Sequence, residues 1–209
     1  MWGQWLLRFG LAPPLLVSVL LGMEQLRSQS LPAGSSRSLE CAGQQIFTEP
    51  ICAGDRLEPE EQRLYDAVNR YRAEHGLPPI PLSPSLTVVA NRRVLDLHKN
   101  IGHLTHSWSN CPYDAANPAT YPCMWKAPQR LGTAYPGNGY EVAHGRSGRY
   151  RATANLALQA WQRSPAHNAV ILNQGIWQVK EWRALGIGIS NGFALLWFGE
   201  ERDPAQSPN

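Results

Sequence analysis

Histidine is the residue type with the widest chemical use in this sequence, because its imidazole binds metal ions and exchanges protons near neutral pH. The chain has six: His75, His98, His103, His106, His144 and His167. The spacing of His103 and His106 would put both rings on one face of a helix and supply half a metal site. Gly102 argues against a helix at this point. Spacing alone therefore leaves a metal-ligand role for His106 open.

The first 30 residues have the pattern of a secretory signal peptide. Arg8 precedes an apolar run from Phe9 to Met23, and Ser28 and Ser30 have the small-x-small spacing of a cleavage site. The apolar run is shorter than the roughly 20 residues of a membrane-spanning helix. We therefore expect a secreted, periplasmic or otherwise extracellular protein, with an uncleaved signal anchor as the alternative.

Four cysteines lie beyond this segment, namely Cys41, Cys52, Cys111 and Cys123. An even number of cysteines after an export signal indicates disulfides, and the spacing lacks the Cys-x2-Cys pairs of a zinc site. Three pairings are open. The local pairing of Cys41 with Cys52 and of Cys111 with Cys123 is favoured, because each pair brackets a loop segment that contains proline.

The elements that must position the histidines can be predicted from caps and periodicity. We expect a helix from Pro59 to Gly76, a second after the Ser83-Pro84 cap, a third over 153–162, and a short fourth after the Ser164-Pro165 cap, with His167 in its first turn. Alternation on both sides of Asn191-Gly192 predicts a hairpin with a type I′ turn.

The segment 101–152 has no sustained periodicity and contains several aromatic residues and prolines. A loop of this length is unusual unless it is functional or pinned, and a Cys111–Cys123 bond would pin it. Trp108 and Trp125 are candidates for the lining of a cleft, where their rings could stack on sugars or form an apolar groove. The alternative is that these rings fill a small core.

Several functions are excluded at this point. Helices come first and strands last, with no glycine-rich phosphate loop, so a nucleotide-binding fold is rejected. The 19 Lys and Arg residues against 16 Asp and Glu give a net charge of only +3, which argues against nucleic acid as a partner. The chain divides into a signal peptide (1–30), a disulfide-closed linker (31–56), a folded α+β domain (57–200) and a disordered tail (201–209).

Four segments resemble the CAP superfamily, also called SCP-like proteins. They are YDAVNRYRAEHGLPPIPLSPSL (65–86), GYEVAHG (139–145), AWQRSPAHNAVIL (160–172) and ALGIGISNGFALLWFGE (184–200). The resemblance implies an α-β-α sandwich with a C-terminal hairpin, long irregular loops and a cleft that carries two histidines and two acidic residues. It places His106, Glu141 and His167 in that cleft. The fourth, acidic position holds Ser164 in this chain.

Two imidazoles and one carboxylate are the ligand set of a zinc site with an open position, although the carboxylate could equally orient the two histidines. We expect a binding module for a small apolar ligand or a cell-envelope component, with zinc as a candidate cofactor. The alternatives are a metal-assisted hydrolase of peptide or cell-wall bonds and a structural or adhesive domain. The missing acidic residue at Ser164 disfavours an enzyme.

Overall fold

A three-stranded antiparallel sheet is the centre of the fold in the computed structural model, which describes residues 39–206. Its strands are β1 (Tyr140–Gly145), β2 (Ala184–Ser190) and β3 (Phe193–Gly199), in the spatial order β1-β3-β2. Residue Glu141 on β1 lies opposite Trp197, and Ser190 lies opposite Phe193 at the hairpin. The predicted signal peptide lies outside the described residues.

Helices cover both faces of this sheet. They are α1 (Gln45–Thr48), α2 (Pro59–Glu74), α3 (Pro84–Asp96), α4 (Pro122–Trp125), α5 (Ala127–Arg130), α6 (Ala154–Gln162) and α7 (Pro165–Ile171). A π-helical turn (Leu97–Ile101) extends α3, and 3-10 turns occupy Pro118–Thr120 and Gly175–Trp177. Within residues 39–206, none of the helices combines the length and the apolar character needed to cross a bilayer.

The two faces of the sheet bury separate apolar clusters. On one face, Val142 and Leu196 pack with Leu64 of α2 and with Trp161 of α6. On the other face, side chains such as Trp197 pack with the apolar residues of α3 and with buried rings of the 101–140 loop. Strand β3 is buried over its whole length because it is the central strand. The predicted α+β class and the α-β-α layering are confirmed.

Helix α3 lies unusually close to the sheet because β2 carries glycine at alternate positions. A Cβ atom on Gly186 would stand 2.2 Å from the carbonyl oxygen of Leu86, and one on Gly188 would stand 2.5 Å from the carbonyl carbon of Ala90. No side chain fits in these gaps. This close packing fixes α3, and with it the charged residues described below, against the hairpin.

The predicted caps identify the helix starts correctly. Helix α2 begins at Pro59 and ends before Gly76, and Ser83 caps α3 by accepting a hydrogen bond from the N–H of Leu86. The hairpin has the predicted two-residue turn, but its type was wrong. Asn191 has φ +53°, whereas Gly192 is outside the left-handed region, so the turn lacks the two positive φ angles of type I′.

Both predicted disulfides are present, joining Cys41 to Cys52 and Cys111 to Cys123. The described part of the predicted linker is packed on α3. Arg92 of α3 forms an ion pair with Asp55 at 2.6 Å and donates to the carbonyl oxygen of Ile46 at 2.8 Å. These buried charged contacts make residues 39–55 part of the folded unit, although the segment is poor in large apolar residues.

Residues 201–206 differ from the predicted disordered tail. The carboxylate of Asp203 is buried and accepts hydrogen bonds from the Ser83 hydroxyl at 2.5 Å and from the N–H of Ser85 at 2.8 Å. A carboxylate at this position also interacts favourably with the N-terminal end of the helix dipole. Residues 201–206 are therefore held by polar contacts of Asp203 with the start of α3, which the composition of the segment does not predict.

Candidate functional site

The three predicted site residues come from three different elements. His106 lies in the loop after the π-helical turn, Glu141 is the second residue of β1, and His167 is the third residue of α7. Strand β1 is an edge of the sheet, and the side chain of Glu141 contacts α3 and the 101–110 loop on one face. The structure pairs His106 directly with Glu141 and holds His167 in a separate contact.

Glu141 is a buried carboxylate that orients the imidazole of His106. The Nδ1 atom of His106 donates to Oε1 of Glu141 at 2.9 Å, and Nε of Arg93 donates to Oε2 at 3.1 Å. The side chains of Glu141 and Arg93 are fully buried, whereas that of His106 is 36% exposed. With both oxygens taken, Glu141 is an orienting partner of His106 through the Nδ1 atom of the ring.

Arg93 in turn connects this carboxylate to the 101–110 loop. Its guanidinium lies 3.4 Å from Oδ2 of Asp96 and donates to the carbonyl oxygen of Thr105. Asp96 accepts hydrogen bonds from the N–H of Ser109 at 2.8 Å and from Asn100 at 2.8 Å. A buried charge needs such partners, so the network holds the loop, and therefore His106, in place.

The pKa of His106 is raised above its ordinary value. Burial acts against the charged imidazolium and lowers the pKa, and the positive charge of Arg93 lowers it further. The hydrogen bond and the negative charge of Glu141 outweigh both effects. His106 therefore holds its proton to a higher pH than a free histidine does.

His167 has the opposite electrostatic environment. Burial and the nearby charge of His106 lower its pKa. Its Nδ1 atom lies 2.8 Å from the hydroxyl oxygen of Ser164, the residue that precedes α7. The predicted cap at Ser164 is wrong in one respect, because this hydroxyl makes no side-chain hydrogen bond to the first turn of the helix. The pKa values of the two histidines are thus shifted in opposite directions from the ordinary value, upward for His106 and downward for His167.

His144 is a third imidazole near this site that sequence reasoning did not assign. It lies on β1 with its Nε2 atom 2.8 Å from the hydroxyl of Tyr150, and its ring packs edge-on against Trp161. Burial lowers its pKa, and the charge of His167 lowers it further. Because alternate strand residues point to opposite faces, His144 and Glu141 belong to different sides of the sheet.

A row of aromatic rings runs from His106 along the β1 side of the molecule. Consecutive ring centroids are separated by 5.5, 5.4, 5.2, 6.2 and 5.5 Å, in the order His106, Tyr113, Tyr121, Trp125, Tyr140 and Trp177. All of these rings except Tyr140 are partly exposed. Near Trp177 in the sequence, the side chains of Ile176 and Val179 are strongly exposed. We call these rings the aromatic row.

Trp108 differs from the prediction that it lines a cleft. It is only 2% exposed, and its ring packs against Trp197 at 6.3 Å between centroids. The guanidinium groups of Arg93 and Arg130 lie 5.1 and 5.4 Å from the centre of its ring. Trp108 therefore makes cation–π contacts with the buried Arg93 and the partly buried Arg130. Trp125, in the aromatic row, is partly exposed.

The donor set offers two imidazoles, not three ligands, for a metal ion. Within residues 39–206, no group of three or more His, Cys, Asp or Glu side chains is arranged to hold a metal. In the same residues, the Nε2 atoms of His106 and His167 have no hydrogen-bond partner, while each Nδ1 is occupied. Histidine ligands in zinc sites commonly have one ring nitrogen held in this way. The two Nε2 atoms are therefore chemically suitable ligands for a metal ion. Glu141 would orient the ring of His106 and would not itself bind the ion.

Arg93 and Asp96 are the site residues that sequence reasoning missed. Arg93 lies on the same stripe of α3 as Leu86, Ala90 and Leu97, at helical spacings of three and four residues. A charged residue within an apolar stripe is the signal that could have identified it, because such a residue must find a buried partner. Asp96 follows three residues later, at contact distance on a helix.

Comparisons with known proteins agree with this fold. A family model described as the cysteine-rich secretory protein family (CAP) matches residues 65–179, which include His106, Glu141 and His167. A solved extracellular protein of Bacillus anthracis that contains an SCP domain is 20% identical, with a TM-score of 0.52 over 68% of this chain and 40% of that chain. An outer surface protein of Borrelia burgdorferi is 16% identical, with a TM-score of 0.50 over 70% of this chain and 96% of that chain.

At these identities, the two structures share the fold. This chain spans less than half the length of the Bacillus protein. A search of curated protein sequences found no match. The family model, by contrast, covers more than half of the chain and the region that carries the site. The chain therefore belongs to the cysteine-rich secretory protein (CAP) family.

Proposed function

We propose that this protein is an exported CAP domain that binds an apolar molecule of the cell envelope, such as a lipid acyl chain, on the aromatic row. The observation that carries this proposal is the run of partly exposed rings from His106 to Trp125, which the buried ring of Tyr140 connects to the partly exposed Trp177. Large exposed apolar surfaces on a folded domain mark binding sites. Ring faces supply apolar area, and tyrosine hydroxyls keep such a surface compatible with water.

Export is supported by the two disulfides, since disulfides form and persist in oxidising compartments outside the cytosol. The Cys111–Cys123 bond has a direct relation to the proposed site. It closes the loop that carries Tyr113 and Tyr121, which are stacked at 5.4 Å with an angle of 22° between their planes. A closed loop loses less conformational freedom when a ligand is bound, which favours affinity.

The test measures binding of a fluorescent dodecanoic acid to the mature protein. Replacing Tyr121 by leucine removes the ring at the middle of the row, with neighbours on both sides. We expect roughly a fivefold loss of affinity, from about 1 kcal/mol of lost ring contacts. Tyr71→Leu is the matched control, because Tyr71 is a partly buried tyrosine that packs against His75, outside the row. Thermal unfolding would show whether both variants are folded.

Absence of binding by the folded wild type, or equal affinity in Tyr121→Leu and the wild type, would contradict the proposal. Repeated extraction of the purified protein provides an independent measurement, because an envelope-derived apolar ligand should co-purify with it. Empty extracts together with no uptake of the labelled acid would leave the hydrolase described below and a structural or adhesive role.

A metal-assisted hydrolase of peptide or cell-wall bonds is the second candidate. The observation that favours it is the pair of free Nε2 atoms on His106 and His167, each on a ring that is held through Nδ1. These two atoms would hold a divalent ion such as zinc, which supplies an activated water when bound. Glu141 and Ser164 would orient the two rings.

A further inference from the structure

We propose that Ser164 and His167 form a nucleophile–base pair that cleaves carboxylic esters by acyl transfer. The hydroxyl oxygen of Ser164 lies 2.8 Å from Nδ1 of His167. This distance is within the range in which a histidine activates a serine nucleophile. The activity is additional to ligand binding on the aromatic row and does not depend on it.

The orientation of the Ser164 hydroxyl is unusual when it is compared with other caps in the same chain. Ser83 and Thr153 accept hydrogen bonds from backbone N–H groups of the helices that they precede, at 3.0 and 3.3 Å. This is the ordinary role of a serine or threonine before a helix. Ser164 precedes α7 in the same way, yet its hydroxyl makes no such bond and contacts the imidazole. At Ser164, the contact with His167 thus takes the place of the usual hydrogen bond to the backbone of the helix.

Both members of the pair are accessible from outside the core. Ser164 and His167 are partly exposed, so an ester carbonyl can approach the hydroxyl oxygen.

The proposed reaction is balanced without a cofactor. The Ser164 oxygen forms a bond to the acyl carbon while Nδ1 of His167 accepts the hydroxyl proton. The bond between the acyl carbon and the alcohol oxygen breaks, and His167 returns the proton to that oxygen. Water then attacks the acyl-serine with His167 again as the base, which releases the carboxylic acid and restores the serine hydroxyl.

A fluorophosphonate probe measures the pair directly, because it phosphonylates activated serines and leaves a mass that peptide mapping can locate. Among residues 39–206, no third side chain orients the free Nε2 of His167, so turnover should be slow and covalent labelling is the more sensitive readout. We expect labelling at Ser164 in the wild type and its loss in Ser164→Ala. In His167→Gln, the labelling rate should fall roughly 100-fold or more, the usual effect of removing a general base.

Ser190→Ala is the matched control, since Ser190 ends strand β2 at the hairpin and its hydroxyl contacts Asn191, not a histidine. Its labelling at Ser164 and its hydrolysis of p-nitrophenyl butyrate should equal those of the wild type. The assays contain EDTA, because a metal ion on Nε2 would leave Nδ1 as an N–H donor without base function.

Unlabelled Ser164 in folded wild-type protein, or labelling that persists unchanged in His167→Gln, would overturn the proposal. Circular dichroism and thermal unfolding of each variant distinguish loss of the pair from loss of the fold. Failure of this experiment would leave acyl-chain binding on the aromatic row unaffected, since the two readouts involve different residues.

Discussion

Arg93→Met is expected to destabilise the protein strongly, although it replaces a charge by an apolar side chain of similar length. The side chains of Arg93, Asp96 and Glu141 are all fully buried. The substitution removes the guanidinium that the two buried carboxylates share. Glu141 then keeps its contact with His106, and Asp96 keeps the hydrogen bonds from Ser109 and Asn100. Breaking a buried ion pair by removing one partner typically costs about 3–5 kcal/mol. With two carboxylates affected, we expect the upper part of this range.

Urea unfolding with intact disulfides measures this cost, provided that the slope of the transition is unchanged. Arg70→Met is the control, because Arg70 is exposed on α2 and a surface substitution usually changes stability by less than about 0.5 kcal/mol. The double variant Arg93→Met, Glu141→Gln should lose less stability than the sum of the two single variants, since the second change removes one of the two buried carboxylate charges. A loss below about 1 kcal/mol in Arg93→Met, or additive losses in the double variant, would refute the reasoning.

Two further predictions concern the histidines. Glu141→Gln should lower the pKa of His106, measured by NMR titration, because burial and Arg93 then act without the opposing carboxylate. Since the pKa of His106 in the folded wild type is raised, the stabilisation from its proton is complete at pH values below the ordinary pKa and is lost as the pH rises through the raised pKa. The stability gap between wild type and variant should therefore narrow with rising pH, and a constant gap would contradict this origin. Calorimetric titration should show one zinc ion bound by the wild type and none bound by His106→Ala or His167→Ala. His75→Ala, which removes an exposed histidine, is the control and should bind zinc as the wild type does. Equal binding by all four proteins would exclude a zinc site formed by His106 and His167.

The layered fold could be predicted because its signals are local. Proline after serine begins α3 and α7, and strand alternation around Asn191-Gly192 predicts the hairpin. The ordered tail could not be predicted in this way. Asp203 contacts Ser83 across 120 residues of sequence, and a single polar contact between distant segments leaves no periodic pattern. The same holds for Arg92 and Asp55, which bind residues 39–55 to α3.

The site residues were identified by resemblance, but their roles follow from the contacts. The sequence left open whether Glu141 binds a metal ion or orients the two histidines. In the structure, the buried Arg93 takes one oxygen of Glu141 and His106 takes the other, which favours the orienting role. Within the 101–152 segment, the aromatic residues have no periodicity that separates buried from exposed rings. The difference between Trp108 and Trp125 depends on which ring α3 covers, a property of the three-dimensional packing.

The two chemical proposals for His167 exclude each other at any one moment, because a neutral imidazole has one protonated and one unprotonated nitrogen. If Nδ1 accepts the proton of Ser164, Nε2 is the N–H group and has no lone pair for a metal. If Nε2 binds a metal, Nδ1 carries the proton and donates it in a hydrogen bond to the Ser164 hydroxyl oxygen. The serine then has no base that could accept its proton. Zinc should therefore slow fluorophosphonate labelling of Ser164 in the wild type, and a chelator should restore it. The serine that stands in the family's fourth acidic position thus allows His167 either of two roles, depending on which ring nitrogen is protonated.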